Sequence, residues 1–304
     1  MELRHLRYFV AVAEEGSLTN AAERRLHTAQ PSLSRQIRDL EVEVGVKLLE
    51  RGARGIELTQ AGRTFLDHAR LALLQVEAAG EAARRAALPE KSSFVVGFLT
   101  GEEVIWMPQV LRMLREEEPD IEITIVSQSS PDLAGGLMRG KVDVAFLRRE
   151  QQAPGLIFKL LVKEPLVAML PVGHRLAGRK SVSPQEIAKE TYISPTRYAP
   201  VLKRVIEDYE AKTGIALRRE FDADNLTSTM SLVASTGGVT LLPLYAQNLL
   251  SSGLVIRPLQ GEAPTIDLVL GYSRSNTSRS LKRFLARTDE LIARASDRGV
   301  SGAS

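Results

Sequence analysis

Between Arg24 and Arg38 the chain carries Arg24, Arg25, Arg35 and Arg38 with no Asp or Glu among them, although acids and bases roughly balance over its N-terminal third. Positive charge gathered on one stretch is what contact with phosphate requires. Polar residues Gln30, Ser32, Ser34, Arg35 and Arg38 interleave with the apolar positions Leu33, Ile37 and Leu40 at helical spacing. Glutamine can donate to and accept from adenine N6 and N7, and arginine can hold guanine O6 and N7 with two hydrogen bonds. The hydroxyls of Thr28 and Ser32, with the free N–H groups of a helix start, suit phosphate oxygens. Arg51 and Arg54 lie further on, placed to meet a neighbouring groove or backbone. A basic amphipathic helix is also an ordinary solvated surface, and charge alone does not separate the two readings.

A second set of candidates is richer in hydroxyls. Leu99-Thr100-Gly101, Ser127-Gln128-Ser129-Ser130 and the segment Ser194 to Pro200 each follow a β-branched run. Hydroxyls and unpaired N–H groups at the carboxyl ends of strands form anion sites, so a carboxylate is the expected ligand group. Arg148, just after Val142–Phe146, would add a charge-assisted contact. Asn225 and Thr227 form a weaker candidate pair. Glu102 and Glu103 crowd the start of one helix, where acids compensate the helix dipole or, turned inward, would repel an anion. Simple helix capping competes with the pocket role for all the short hydroxyl residues.

These side chains need elements to hold them. Leu3, Leu6, Phe9 and Val10 predict a first helix to about Glu15, stopped by Gly16, with Ser17 capping a short second helix. Thr28 is the expected cap of a third helix with Pro31 in its first turn and Gly45 at its end. Two helices joined by a tight turn make a helix-turn-helix. Leu48–Leu58 suits a short β wing, and Thr59–Ala87 one long helix with a stripe of Phe65, Leu66, Ala69, Leu73, Val76 and Ala83 that asks for a partner. Leu88–Ser93 then breaks the helical pattern as a linker. Beyond it, Phe94–Phe98, Ile121–Val126 and Val142–Phe146 alternate with amphipathic helices, which predicts βαβ units in a mostly parallel sheet. Ile266–Tyr272 reads as a strand, followed by a terminal helix from about Ser278.

Composition narrows the function. At 304 residues two domains are expected, 44% apolar and 25% charged residues are ordinary globular values, and Cys 0 excludes disulfides, thiol catalysis and cysteine-held metals. The four histidines are scattered without ligand spacing, and neither a phosphate loop nor a nucleophile elbow is present, so no cofactor, metal or enzyme chemistry is expected. Alternating charge after Met1 and the lack of a long uncharged apolar run predict neither a signal peptide nor a membrane span, hence a cytoplasmic protein.

Leu3-Arg4-His5-Leu6-Arg7-Tyr8-Phe9, Gly16–Ala22, Gln30–Ile37, Leu40-Glu41, Gly45-Val46, Leu48–Arg51 and Leu58–Gly62 together resemble the N-terminal domain of the LysR-type transcriptional regulators. The resemblance runs more weakly through the rest of the chain, and within the family it leans toward regulators of aromatic-acid catabolism. It implies a multi-domain α and α/β chain. A winged helix-turn-helix would occupy residues 1–58, a dimerising linker helix 59–88, and a two-lobed α/β effector domain of periplasmic-binding-protein type 89–304. One lobe would take 92–162 plus 267–295, the other 163–266. Gln30, Pro31, Ser34, Arg35 and Arg54 match positions that face bases or the groove. Gly101, Ser130, Arg148 and Pro200 match effector-pocket positions, Gly101 standing where a hydroxyl residue is common. The implied partners are double-stranded DNA at an interrupted palindrome, a small carboxylate effector, and further copies of the chain in a dimer of dimers. RNA polymerase is a candidate partner for such an activator. The alternative is a cytoplasmic small-molecule-binding protein with a non-specific DNA-binding arm.

Overall fold

The computed structural model describes residues 1–52, 55–86, 93–151, 153–195 and 198–293, and the chain divides into two compact units, Met1–Ala87 and Leu88–Ser304. All of the expected linker Leu88–Ser93 except Ser93, which begins the first strand of the second unit, lies outside the described residues, as do Arg54, Thr196 and Arg197.

In the first unit α1 (Leu3–Glu15) stops at Gly16, whose φ of 60° is left-handed. Ser17 caps α2 (Leu18–Asn20) by accepting the Asn20 N–H at 3.3 Å, and the chain continues through a wide π-type turn, Ala21–Leu26. α3 (Gln30–Val44) has Pro31 in its first turn. The expected cap Thr28 does not cap it. Thr28 is committed to the preceding turn, its N–H bonded to the Ala22 carbonyl at 3.0 Å, so Ala29 takes the extended cap position and offers no side-chain oxygen.

The wing is an antiparallel pair, β1 (Leu49–Gly52) with β2 (Gly55–Leu58). One carboxylate fixes it to α3: Glu41 is 6% exposed, and its Oε1 accepts the N–H groups of Leu48 at 2.9 Å and Leu49 at 3.0 Å. Lys47 Nζ meets Oε2 at 2.7 Å. Burial pushes the Glu41 carboxyl up, but the hydrogen bonds from Lys47, Leu49 and Leu48 outweigh it and leave it below its usual range. α4 (Gln60–Ala86) follows. Its Gly62 passes so close to the wing that a Cβ would sit 1.9 Å from the Leu48 carbonyl oxygen, which only glycine tolerates. The apolar stripe of α4 divides: Leu66 and Ala69 are buried in a core with Leu6, Phe9, Leu33 and Leu40, and Phe65 meets Phe9 edge-on, whereas Val76 and Ala83 stay exposed.

The second unit is built on a seven-stranded sheet ordered β10-β6-β11-β5-β3-β4, with β9 also on β6. Its strands are β3 (Ser93–Leu99), β4 (Glu122–Gln128), β5 (Val144–Leu147), β6 (Leu156–Pro171), β9 (Thr240–Pro243), β10 (Leu254–Pro258) and β11 (Thr265–Ser273). The expected parallel arrangement holds for β3 with β4 and β5. It fails for the remainder, because β6, 16 residues long, pairs antiparallel with β9, β10 and β11. Two large cores result. Phe94, Phe98, Trp106, Leu268 and Phe284 form one, under α5 (Glu103–Glu117) and α10 (Arg279–Ala286). Leu166, Leu170, Tyr192, Ile206, Leu241 and Ile266 form the other, around α7 (Pro184–Ile187), α8 (Pro200–Thr213), α9 (Leu226–Thr236) and the parallel pair β7 (Thr191–Ser194) and β8 (Arg218–Asp222). β6 contributes to both cores, as β11 does, so these two strands tie them together. α6 (Ser130–Met138) covers the opposite sheet face through Leu133 and Leu137.

Replacing Glu41 with alanine strands two backbone donors at the root of the wing. The expected loss is about 2 kcal/mol, seen as a lower urea midpoint of the full chain. Because the folded carboxyl lies below its unfolded value, that contribution is complete above the unfolded pKa and fades as pH falls through the folded one. The gap between the two proteins should therefore narrow below about pH 4.

Candidate functional site

Two groups of candidates fall in different units, and each is complete within its own. On α3 the apolar positions Leu33, Ile37 and Leu40 are buried, which turns Pro31, Ser32, Arg35 and Arg38 to the surface, with Gln30 and Ser34 half-buried beside them. Arg35 is 79% exposed and only loosely opposed by Asp39 at 3.9 Å. Thr28 is half-buried in the turn, and Arg51 is exposed on β1. Arg25 has another task. It pairs with Glu14 of α1, which Arg70 of α4 also holds at 2.6 Å. Burial raises the Glu14 carboxyl, and the hydrogen bonds from Arg70 and Arg25 bring it below its ordinary value.

In the second unit the decisive residue is Arg148, at the end of β5 and 4% exposed. Its Nη2 stands 2.6 Å from Glu164 Oε2 on β6 and 3.1 Å from Glu102 Oε1, just ahead of α5. Trp106 Nε1 donates to the other Glu102 oxygen at 3.1 Å, and the Tyr245 ring lies 5.5 Å beneath the guanidinium. The Tyr245 hydroxyl donates to the Thr100 carbonyl at 3.2 Å. Glu102 is fully buried; burial and the adjacent Glu164 push its carboxyl well above the usual range, with Arg148 and Trp106 pulling only partly back. Burial lowers the Arg148 guanidinium less than Glu164 and Glu102 raise it, so it stays charged. Among the described residues its Nη1 has no hydrogen-bond partner.

Arg148 forms part of the wall of an inner pocket of about 30 Å³, with Leu99, Ser130, Tyr198, Leu202 and Leu226. The Arg148 backbone N–H donates to Ser130 Oγ at 2.9 Å, which leaves the Ser130 hydroxyl proton for another acceptor. α8 begins here on Pro200, with Ala199 before it and no side-chain cap, so its first N–H groups are unclaimed by any side chain. Tyr198, whose hydroxyl burial pushes up to about 12, shares a 2.9 Å hydrogen bond with Thr229. Glu150 lines this pocket and a larger outer cavity of about 930 Å³ that Arg149, Phe158, Pro200 and Arg204 also border. Burial raises its carboxyl to about 7 against the pull of Arg204.

The sequence candidates sort clearly. Ser130 and Arg148 meet in the inner pocket, and Pro200 lies at the outer cavity where α8 starts. Gly101, with φ of 97°, packs under Tyr245, where a Cβ would come within 2.8 Å of the ring. Thr100 turns its hydroxyl to Ser127 at 3.3 Å. Ser129 and Asn225 cap α6 and α9, and Thr227 is exposed on α9, so these three do not line the pocket, which α9 reaches through the buried Leu226. Glu102 and Glu103 do more than offset a dipole. Glu102 faces Arg148, and Glu103 Oε2 accepts the Gly101 N–H at 2.7 Å, filling that anion position from within. Glu164, Tyr245 and Glu150 were not legible as site residues. Among the described residues no group of three His, Cys, Asp or Glu could hold a metal, and no helix is long and apolar enough to cross a membrane.

Comparison with known proteins agrees with both halves. Residues 3–63 match the bacterial regulatory helix-turn-helix proteins of the lysR family, and residues 90–292 match the LysR substrate binding domain. The chain is 38% identical to the Hca operon transcriptional activator HcaR of Escherichia coli (strain K12), covering 96% of this chain and 99% of that protein. The crystal structure of full-length BenM superposes with a TM-score of 0.57 at 26% identity, over 97% of this chain and 98% of that one. Full-length CbnR complexed with its target DNA gives 0.56 at 25% identity, over 96% and 100%. A helix-turn-helix unit joined to a substrate-binding unit, matched along nearly its whole length, makes this chain a member of the LysR family of transcriptional regulators and not an enzyme.

Proposed function

We propose that the protein is a cytoplasmic transcriptional activator switched by a small carboxylate, aromatic acids being the leading class. The observation that carries the ligand assignment is the unpartnered Nη1 of a buried arginine in the wall of the inner pocket. A carboxylate there would take a charge-assisted hydrogen bond from Arg148, another from the Ser130 hydroxyl, and the unclaimed N–H groups of α8. An apolar remainder would lie against Leu99, Leu202 and Leu226. In this reading the two cores are two lobes, 92–162 plus 267–295 and 163–266, and the effector sits between them. The inner pocket holds little more than a water, so an effector must part its walls, and it thereby distinguishes two arrangements.

Gln30, Pro31, Ser32, Ser34, Arg35 and Arg38 would present the reading face of α3 to the major groove, with Thr28, Arg51 and Arg54 on phosphates or a flanking groove. The exposed Val76 and Ala83 of α4 support pairing of two subunits along that helix, which sets two winged units on an interrupted palindrome. A dimer of dimers and contact with RNA polymerase extend the same reading.

Two measurements test it. On a palindrome located by footprinting, Arg35→Ala should erase the preference over random DNA, losing about 10- to 100-fold on the specific site alone, whereas Arg51→Ala should weaken both. Equal losses on both DNAs for both variants would contradict the assignment. In a thermal-shift series, benzoate, phenylacetate and hexanoate should raise the melting temperature of the full chain, and benzylamine should not. A preference for the amine would overturn the carboxylate pocket.

A further inference from the structure

The guanidinium offered to a ligand is already surrounded by acid. Arg148 brings one positive charge, and Glu102 and Glu164 bring two negative charges within 3.1 Å of its Nη2. Fully ionised, the cluster carries a net charge of −1 before any effector arrives. Glu102 has no exposure to water, and Arg148 has 4%. A second uncompensated negative charge in that volume would have neither solvent nor counter-ion to receive it. A carboxylate and an ionised Glu102 therefore compete for the same arginine.

We propose that Glu102 sets the charge this pocket accepts: a carboxylate effector binds together with one proton, which resides on Glu102 in the complex. This rests on the carboxylate reading given above. Protonation leaves the hydrogen bond to Trp106 possible, gives Glu102 a donor of its own for Glu164, and leaves Arg148 with one internal partner and a free Nη1. Glu164, with a side chain 10% exposed, is the better solvated of the two acids, so the proton is assigned to Glu102. The other groups facing the cluster do not compete for this proton. Arg148 stays charged, and burial together with Glu102 pushes the Tyr245 hydroxyl far above neutrality. Glu103 is engaged with Gly101 and Ser127, and Trp106 does not titrate. Among the described residues Glu150 alone, reaching the pocket from the outer cavity and titrating near 7, could imitate the effect, so its neutral variant is the background for the test.

The experiment is calorimetry of benzoate, phenylacetate and hexanoate binding to the full chain carrying Glu150→Gln. It is run from pH 6 to 9.5 in paired buffers of different ionisation enthalpy. The proposal expects uptake of up to one proton per ligand, with Kd rising toward tenfold per pH unit at the alkaline end. Adding Glu102→Gln, which copies the protonated acid, should abolish both effects and hold Kd near its low-pH value, whereas adding Glu164→Gln should leave the pH slope in place. The uptake measurement needs no change at Glu102, so it stands even where the protein carrying Glu102→Gln fails to fold. Binding with a flat profile and no proton uptake would overturn this inference while sparing the carboxylate pocket. Loss of the slope in the Glu164 variant and not in the Glu102 variant would overturn the assignment to Glu102. Failure of all three acids to bind either protein would refute the carboxylate reading itself.

Discussion

Burying a guanidinium is tolerable only if its charge is answered on the spot, and the second unit is organised around that condition. Arg148 comes from the end of β5, Glu164 from the long strand β6, Glu102 from the turn before α5, and Tyr245 from the short 3-10 turn after β9. These parts belong to both cores, so the contacts hold only while the cores keep their present placement within the unit. Arginine suits this role better than lysine, because its flat cation can lie over the Tyr245 ring while presenting N–H groups to acids in its plane. Removing Arg148 would leave two acids facing each other in a dry site, and that cost ties the arrangement of the cores to the electrostatics of one side chain.

A site of this kind is prepared to respond. Its interior is nearly filled, Arg148, Glu102, Trp106 and Tyr245 engage one another, and among the described residues Arg148 Nη1, Glu150 Oε1 and the start of α8 are left unanswered. Any ligand that completes these must also disturb Tyr198, Tyr245 or the residues that begin α8, since the inner pocket has no spare volume. Binding energy is thus unavoidably partitioned into moving one part of the unit against another, the requirement for a ligand to bias a two-state equilibrium.

Much of this was legible in the chain, and the misses have a common cause. Local signals did well: the Gly16 and Gly45 stops, the Ser17 cap, the wing and the buried stripe of α3 all depend on neighbours a few residues away. Thr28 misled because a wide π-type turn ahead of it claimed its N–H. Ser129 and Asn225 have the right chemistry for a ligand, but helix caps use the same hydroxyl and amide oxygens, and spacing alone cannot separate the uses. Ser130 and Arg148 were legible because each closes a β-branched run. For Glu102 the sequence left two readings open, since its partner lies 46 residues away and a carboxylate at a helix start is ordinarily content to face water. Glu164 and Tyr245 enter only through the antiparallel crossing of β6, which the βαβ pattern did not foresee.

The basic cluster of the first unit carries a similar lesson about division of labour. Arg25 looks in sequence like a fourth phosphate contact, yet it is joined to Glu14, which Arg70 holds from the other side. One carboxylate thereby joins the first helix, the helix-turn-helix turn and the long helix α4 into a single body. With Glu41 fixing the wing to α3 and Gly62 bringing α4 against Leu48, the reading face has little freedom relative to α4. Where two subunits pair along α4, that rigidity turns the geometry of helix pairing into the distance between two reading helices. On the proposed pairing, half-site spacing on DNA would then follow from ion pairs and close packing inside each first unit.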